Sequence, residues 1–231
     1  RITLELGGND AGIVLDDVEP KKVAQQLFDS AFQNSGQVCI AMKRLYVHDS
    51  IYDEVVDELA SIANDTIIGD GLEQGTKLGP LQNKMQYEKV KELIESARQD
   101  GNIVAGGEVP DQSGYFIRPT IVRDVTEGSR IVDEEQFGPV LPVIRFSDES
   151  DAIARANNSD YGLGGSVWSS DLDRAYDVAN QMNTGTVWIN KHAELDPGIP
   201  FGGSKQSGLG NELGMEGLKE FTQLKMINMA R

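Results

Sequence analysis

The sequence predicts an α/β protein in which helices cover both faces of a mainly parallel sheet, with Rossmann-like layering. Segments with helical apolar spacing alternate along the chain with short apolar strands, and parallel strands need the crossover connections that such helices supply. The 231 residues, of which 39% are hydrophobic and 25% charged, are enough to bury the core of an ordinary globular domain.

The first helix is predicted behind Pro20, which suits a first helical turn, and Gly36 suits its end. Its apolar positions recur at helical spacing: Val23, Ala24, Leu27, Phe28, Ala31 and Phe32. A strand over 44–47 follows. Ser50 and Asp53 then form a capping-box signature, which predicts the start of a second helix.

The same alternation continues downstream. The predicted helices cover 83–99, 147–158 and 170–182, and the predicted strands cover 103–105, 164–168 and 186–190. Gly101 ends the first of these helices, and Ser170 with Asp173 is predicted to cap the last one. These elements extend the parallel sheet through the second half of the chain.

Two stretches interrupt the alternation. Residues 106–146 contain β-rich pieces at 116–122 and 140–145, and residues 191–217 are rich in glycine and have no apolar period. A connection as long as the second is typical of a functional loop. The segment 221–229 alternates apolar and polar residues, which predicts a strand whose free edge pairs with another subunit.

The charge balance argues against two classes of binding partner. Acidic residues outnumber basic ones 37 to 21, and the net charge of −16 would repel nucleic acid and anionic membrane surfaces. No apolar run has the roughly 18 residues that a membrane helix needs. A single cysteine forms no internal disulfide, so we expect a soluble, intracellular protein, cytoplasmic unless a segment before Arg1 carries an organellar signal.

That cysteine, Cys39, lies on a glycine-bearing turn between a helix and a strand. A lone cysteine is ordinarily a small buried hydrophobe, and composition alone favours this interpretation. At the start of a new element, however, backbone N–H groups can lower the pKa of a thiol and can also donate to an oxyanion. Both interpretations stay open on local grounds.

Several other residues are candidates for acid-base or ligand chemistry. Glu5, between leucines and followed by two glycines, fits a general base with a raised pKa or an exposed charge at a strand end. Glu134 and Glu135 precede a turn that can direct a carboxylate into a cleft. The glycine-rich segment 200–214 matches neither phosphate-loop motif. His48 and His192 show no spacing typical of a cysteine hydrolase or a metal site.

Four segments, in this order and at these separations, together resemble the aldehyde dehydrogenase superfamily. They are 4–10 (LELGGND), 34–41 (NSGQVCIA), 134–140 (EEQFGPV) and 200–214 (PFGGSKQSGLGNELG). The resemblance covers nearly the whole chain and corresponds to the C-terminal, catalytic part of such an enzyme. It implies oxidation of a small-molecule aldehyde to a carboxylic acid with NAD or NADP, and a homodimer or homotetramer.

The resemblance also implies roles for individual residues. Cys39 matches the nucleophile that forms a thiohemiacetal and then a thioester, and Glu5 matches the base that activates water. The backbone N–H of Cys39 matches an oxyanion donor. The cofactor-binding positions are Glu135 at the nicotinamide ribose, Phe137 beside the nicotinamide, and Leu6 and Gly7. Phe201 matches a wall of the aldehyde tunnel, and Glu212 matches a proton relay to Glu5.

The same resemblance sets the expected domain limits. Residues 1–217 are the catalytic domain, with 1–6 as the end of a cofactor-binding domain that is absent here, and 218–231 are an oligomerisation strand. We therefore expect this chain alone to be inactive as a dehydrogenase. Two alternatives remain: a CoA-acylating aldehyde dehydrogenase, which commonly lacks the base that Glu5 matches, and a non-catalytic truncated or oligomerisation fragment.

Overall fold

The computed structural model describes residues 2–230 and is built around a seven-stranded sheet with the order β4-β5-β6-β3-β2-β8-β9. The strands are β1 (Leu4–Glu5), β2 (Asp10–Val14), β3 (Met42–His48), β4 (Asn102–Ala105), β5 (Thr120–Arg123), β6 (Val140–Phe146), β7 (Tyr161–Gly162), β8 (Gly164–Trp168), β9 (Thr186–Ile189), β10 (Ser204–Lys205) and β11 (Gly208–Leu209). The helices are α1 (Pro20–Phe32), α2 (Tyr52–Asp65), α3 (Lys84–Asp100), α4 (Arg130–Asp133), α5 (Glu149–Asn157), α6 (Leu172–Ala179) and α7 (Gly214–Glu220).

The main sheet is parallel except at one edge, where β4 pairs antiparallel with β5. Crossover helices join the parallel strands, and β2 lies inside the sheet between β3 and β8, with all five of its residues buried. Strands buried on both faces are typical of parallel sheets in α/β proteins. The predicted fold class is confirmed.

Each face of the sheet packs against its own set of helices. On one face, α1 and α2 bury residues such as Phe28 and Leu59 against Val14 and Leu45. On the other, α3, α5 and α6 pack against a second cluster that contains Ile13. Neighbouring residues of β2 thus enter opposite clusters because side chains alternate along a strand.

Two predicted helix caps are wrong. Ser50 does not cap α2; its hydroxyl lies 2.9 Å from Nδ1 of His48, and Asp53 forms ion pairs with arginines of the neighbouring strands. In α6 the capping side chain is that of Asp171, which accepts hydrogen bonds from the backbone N–H groups of Asp173 and Arg174. Both sequences offered more than one polar side chain, and tertiary partners decided which one was free to cap.

The second half of the chain departs from prediction in three places. The stretch 106–146 also contains the short helix α4, and the predicted loop 191–217 contains β10, β11 and the start of α7. Residues 222–230 form no strand within the described chain, and Phe221, Leu224 and Met226 are exposed. The predicted strand over 221–229 is therefore not formed in the single chain, because a lone strand has no backbone partner.

The predicted tail 218–231 also overlaps α7, which includes 218–220. Arg1 and Arg231, the outer ends of two predicted segments, lie outside the described residues. Whether the tail pairs with another subunit stays a prediction. Across residues 2–230, no helix has both the length and the apolar character needed to cross a membrane.

Candidate active site

Cys39 lies in a turn closed by a hydrogen bond from the N–H of Ala41 to the carbonyl of Val38, at 3.0 Å. The turn joins a 3-10 segment after α1 to β3, and the side chain of Cys39 is half-buried. Gly36, with φ of 72°, is required in this connection because a Cβ there would lie only 2.2 Å from the carbonyl oxygen of Gly138. The chain can therefore turn tightly just before the cysteine.

Buried Lys43 ties this connection to the loop before β6. Its Nζ donates to the carbonyl of Ala31 at 3.0 Å and to that of Gly138 at 2.8 Å. Burial lowers the pKa of Lys43 to about 7 despite the negative charge of Glu135. The lysine thus joins the cysteine region to the segment that carries Glu135 and Phe137.

The structure brings Glu5 next to Cys39. Short strand β1 pairs with β11, and Leu6 donates its N–H to the carbonyl of Ser207, which fixes the backbone around Glu5. The thiol of Cys39 donates to the carboxylate of Glu5 with 3.7 Å between Sγ and Oε2. Burial, and next the charge of Glu212, raise the pKa of Glu5, which suits a general base.

The expectation of a lowered thiol pKa is wrong for this structure. Burial, and next the nearby Glu5 carboxylate, raise the pKa of Cys39 to about 11, and the N–H of Ile40 opposes this only in part. The turn places one backbone N–H on the sulfur instead of a helix N-terminus. Cys39 is therefore a thiol at neutral pH, and Glu5 is positioned to accept its proton.

Glu135 and Phe137 lie on the loop between α4 and β6, which packs against the glycines after Glu5. The N–H of Gly8 donates to Oε1 of Glu135 at 2.9 Å, and a Cβ at Gly7 would come within 2.5 Å of Oε2. The Glu135 carboxylate therefore rests on bare backbone. Phe137 has φ of 48° and is half-buried, and its carbonyl accepts from the side chain of Gln86 at 2.9 Å.

Phe201 and Glu212 form a backbone pair at the C-terminal side of the site. The N–H of Phe201 donates to the Glu212 carbonyl at 2.8 Å, and the reverse bond is 2.6 Å. Phe201 is buried in a small apolar cluster with Ile40, and Cys39 packs against the same cluster. The exposed carboxylate of Glu212 acts on Glu5 through its charge. Leu6 is exposed and Gly7 half-buried on the same rim.

Sequence reasoning missed Asp10 and His192, which are both buried near Cys39. His192 Nε2 lies 2.7 Å from the carbonyl oxygen of Ile40 and 3.7 Å from Oδ2 of Asp10. A carboxylate in an otherwise apolar, fully buried strand was the one available signal, since such a group is rarely buried without a role. His48 is the last residue of β3, a strand of seven residues that begins shortly after Cys39 and separates the two side chains.

A cleft of about 900 Å³ lies between α1, α2 and the segment after β9. Gln33, Asp65 and Lys191 are among its lining residues, and none of the predicted site residues is. His192 also lines this cleft, whereas Cys39, Glu5 and Glu135 lie outside it.

The chain matches the aldehyde dehydrogenase family over residues 1–227. It is 41% identical to phenylacetaldehyde dehydrogenase of Pseudomonas fluorescens, covering 99% of this chain and 46% of that protein. It is 43% identical to the NADP(+) succinate-semialdehyde dehydrogenase of Deinococcus radiodurans, covering 98% and 48%. The chain thus spans about half the length of the curated relatives it matches.

Solved structures give the same result. An NAD+ complex of aldehyde dehydrogenase from Bacillus cereus superposes with a TM-score of 0.94 at 42% identity, covering 97% of this chain and 46% of that one. Betaine aldehyde dehydrogenase from Staphylococcus aureus in complex with NAD+ superposes with a TM-score of 0.91 at 38% identity, covering 95% and 44%. The chain belongs to the aldehyde dehydrogenase family.

Proposed function

We propose that the full-length protein carrying this chain oxidises an aldehyde to a carboxylic acid with NAD or NADP. This chain supplies the nucleophile and the general base. The observation that carries the proposal is the 3.7 Å contact between Cys39 and Glu5, residues that lie 34 positions apart in the sequence. A nucleophile within hydrogen-bond reach of a base is the arrangement that covalent catalysis requires.

In the first step, the Cys39 sulfur attacks the aldehyde carbon as the thiol proton passes to Glu5. The new carbon–sulfur bond gives a thiohemiacetal, and the negative charge on its oxygen is stabilised by the N–H of Cys39. Transfer to a neighbouring carboxylate is needed because the raised pKa leaves little free thiolate at neutral pH. Phe201 and its apolar neighbours border the aldehyde and limit the entry of water.

The residues at Glu135 fit the nicotinamide end of NAD or NADP. One carboxylate oxygen is held by the Gly8 N–H, and the other faces the surface where Gly7 has no side chain, so it can accept hydrogen bonds from ribose hydroxyls. Phe137 follows on the same loop and can contact the nicotinamide. NAD or NADP held there would supply the hydride acceptor for the oxidation.

Hydride loss leaves a thioester on Cys39, which Glu5 resolves. Glu5 first loses the thiol proton to solvent. It then accepts a proton from water while the water oxygen bonds to the acyl carbon, and it returns this proton to the sulfur as the carbon–sulfur bond breaks and the acid is released. A raised pKa makes Glu5 a stronger base than an exposed carboxylate. Glu212, whose charge already acts on Glu5, carries the proton onward to solvent.

The position of Glu5 also weighs against the alternatives. A CoA-acylating enzyme passes the acyl group to a thiol and needs no water-activating base beside the nucleophile. A non-catalytic fragment has no need for a half-buried cysteine against a carboxylate. Hydrolysis is therefore the favoured outcome for the full-length protein, whereas this chain alone would retain at most thiol reactivity or weak esterase activity.

The C-terminal tail supports assembly into a homodimer or homotetramer. Phe221, Leu224, Met226, Ile227 and Met229 are each more than three-quarters exposed in the single chain, from 80% to 91%. Apolar side chains so consistently exposed are typical of an interface. Pairing of this tail with a second copy would bury them and satisfy the backbone.

The test uses the full-length protein, a panel of aldehydes, NAD or NADP, and the variant Cys39→Ala. NAD(P)H formation is expected to fall by at least about 10³-fold, as for other nucleophile deletions. His48→Asn, at the far end of β3, is the matched control and should keep full activity. Analysis of the product with and without CoA separates acid from acyl-CoA.

Three results would contradict the proposal. Undiminished activity of Cys39→Ala would show that Cys39 is not the nucleophile. Acyl-CoA as the main product would establish the acylating alternative. No turnover of any aldehyde by a folded full-length protein would favour the non-catalytic one.

A further inference from the structure

Asp10 and His192 form a buried pair directly behind the Cys39 turn, and no step proposed above uses either of them. Their side chains are 1% and 0% exposed. Asp10 begins the interior strand β2, and His192 follows the edge strand β9, so the two come from separate parts of the sheet. Burial of two titratable side chains at the reacting thiol calls for a physical role.

His192 holds the residue that follows the nucleophile. Its Nε2 lies 2.7 Å from the carbonyl oxygen of Ile40, and this acceptor selects the tautomer with the proton on Nε2. The N–H of the same Ile40 lies beside the Cys39 sulfur and acts to lower the pKa of the thiol. Ile40 is therefore bound on its carbonyl side by histidine and presents its N–H to the thiol.

The side chain of Asp10 and the aromatic ring of Trp188 pack against the histidine. Oδ1 of Asp10 accepts from the N–H of Gly164 at 3.0 Å, and Oδ2, which has no hydrogen-bond partner within residues 2–230, lies 3.7 Å from His192 Nε2. The Trp188 and His192 rings are 5.1 Å apart. A Cβ at Gly164 would lie 2.4 Å from Asp10 and 2.7 Å from Trp188, so the side chains around the histidine are closely packed.

Burial keeps both members of the pair uncharged near neutral pH. It raises the pKa of Asp10 to about 8, against the lowering effects of Gly164 and Arg44 and with added repulsion from Glu135 and Glu5. It also lowers the pKa of His192 to about 4, although the Ile40 carbonyl favours the protonated form.

The charge state of Asp10 acts on the thiol. An ionised Asp10 adds to the charge of Glu5 and raises the pKa of Cys39 further. The uncharged pair therefore leaves the histidine as a donor to Ile40 without placing a second negative charge beside the sulfur.

We propose that His192 is a positioning residue which, packed against Asp10, anchors the backbone of Ile40 through its carbonyl so that the N–H of the same residue stays beside the Cys39 sulfur during attack on the substrate. The role in turnover rests on the proposed function, whereas the effect on the thiol itself does not. Loss of the donor lets Ile40 turn away and removes a backbone N–H that stabilises the developing thiolate.

The experiment compares His192→Phe with His192→Gln in the full-length protein. The rate of Cys39 alkylation by iodoacetamide is measured against pH, with the Cys39 peptide quantified by mass spectrometry. His192→Phe, which keeps ring volume without a donor, is expected to slow alkylation at pH 7.5 about tenfold and to lower kcat similarly, with KM for the cofactor unchanged. The Gln amide reaches the Ile40 carbonyl and should restore alkylation to within about twofold.

Asp10→Asn tests the supporting residue separately. The amide is neutral at every pH, so alkylation above pH 8, where Asp10 of the wild type ionises, should be faster in the variant. An alkylation profile identical to the wild type across pH 8 would remove Asp10 from the proposal.

A His192→Phe protein with an unaltered Tm and an unaltered alkylation profile would overturn the proposal. A lower kcat with an unaltered profile would overturn it too, since histidine would then act elsewhere. If the Phe variant does not fold, His192→Asn replaces it, because the shorter amide does not reach Ile40 and should slow alkylation likewise. Alkylation needs no turnover, so a protein that oxidises no aldehyde would defeat the proposed function and leave this measurement valid.

Discussion

Two buried polar clusters lie next to each other in this protein and behave in opposite ways. The Cys39 cluster consists of Glu5, Asp10, Cys39 and His192, and the Glu127 cluster consists of Arg44, Tyr46, Glu127 and Arg155. They meet at Asn9, whose carbonyl accepts from Arg44 at 2.9 Å and which directly precedes Asp10. The clusters differ in how far their polar atoms are satisfied.

In the Glu127 cluster, the carboxylate is surrounded by donors. Arg155 contacts both oxygens at 2.9 to 3.1 Å, and the Tyr46 hydroxyl donates at 2.8 Å. Burial alone would raise the pKa of Glu127, but hydrogen bonds from Arg155, the backbone and Tyr46 outweigh it and lower the pKa to about 2. The charges stabilise one another and the carboxylate stays ionised.

In the Cys39 cluster, burial dominates instead. One atom each of Glu5, Asp10 and His192 is buried without a hydrogen-bond partner in the described part of the chain. Burial raises the pKa of both carboxyl groups and of the thiol, and it lowers the pKa of the histidine. Unpaired buried groups cost stability, so the Cys39 cluster stabilises the fold less than the Glu127 cluster, as the proposed function leads us to expect.

Glu5→Gln gives the largest expected effect and tests the chemical side of this contrast. Without the base, steady-state turnover of aldehyde should fall about 10² to 10⁴-fold, as for loss of other general bases. NAD(P)H formation in the first turnover should slow as well, because Glu5 accepts the thiol proton before the thioester forms, and the thioester should then accumulate because its hydrolysis has lost the base. Stopped-flow absorbance measures both phases. An unchanged steady-state rate would show that water is activated by another group.

Glu127→Gln tests the structural side. The variant should be less stable than the wild type by about 2 kcal/mol at pH 7, because a hydrogen-bonded carboxylate is lost. The folded pKa of Glu127 is about 2 and the ordinary value 4.5, so its contribution is complete above pH 4.5 and disappears as the pH falls to 2. Urea unfolding at several pH values measures the difference, and Cys39 alkylation should not change. A difference independent of pH would contradict the assignment.

Glu19→Gln gives the smallest expected effect. It tests whether an ion pair that is not buried contributes to the free energy of unfolding. Glu19 pairs with Lys22 at 2.6 Å, but the two side chains are 60% and 74% exposed. Solvent screens such pairs, so the variant should lie within about 0.5 kcal/mol of the wild type at pH 7. A loss of unfolding free energy as large as that of Glu127→Gln in the same urea experiment would mean that this ion pair stabilises the protein even though it is exposed.

Much of the fold could be predicted because local patterns and global packing agree. The alternation of helices and strands gave the parallel sheet, and the apolar stripes of α1 and α3 face the two clusters that cover it. The predictions failed where partners are distant in sequence. Asp53 contacts arginines of β5 and β6, so it does not cap α2, and the strand expected over 221–229 has no partner in the single chain.

The site divides in the same way. The motifs around Glu5, Cys39, Glu135 and Phe201 were recognisable in the sequence, and together they indicated the family. Their residue types fix which groups are available for chemistry: the thiol of Cys39 and the carboxylates of Glu5 and Glu135. The sequence by itself therefore determined the fold class and the family.

Only the tertiary structure decided how those groups are tuned. The raised pKa of Cys39, its contact with Glu5 and the placement of Asp10 and His192 behind Ile40 depend on burial and on distances of a few ångströms between segments that can be more than 150 residues apart. A sequence records which groups are present, whereas desolvation and hydrogen bonding arise from the environment that the whole fold creates around them.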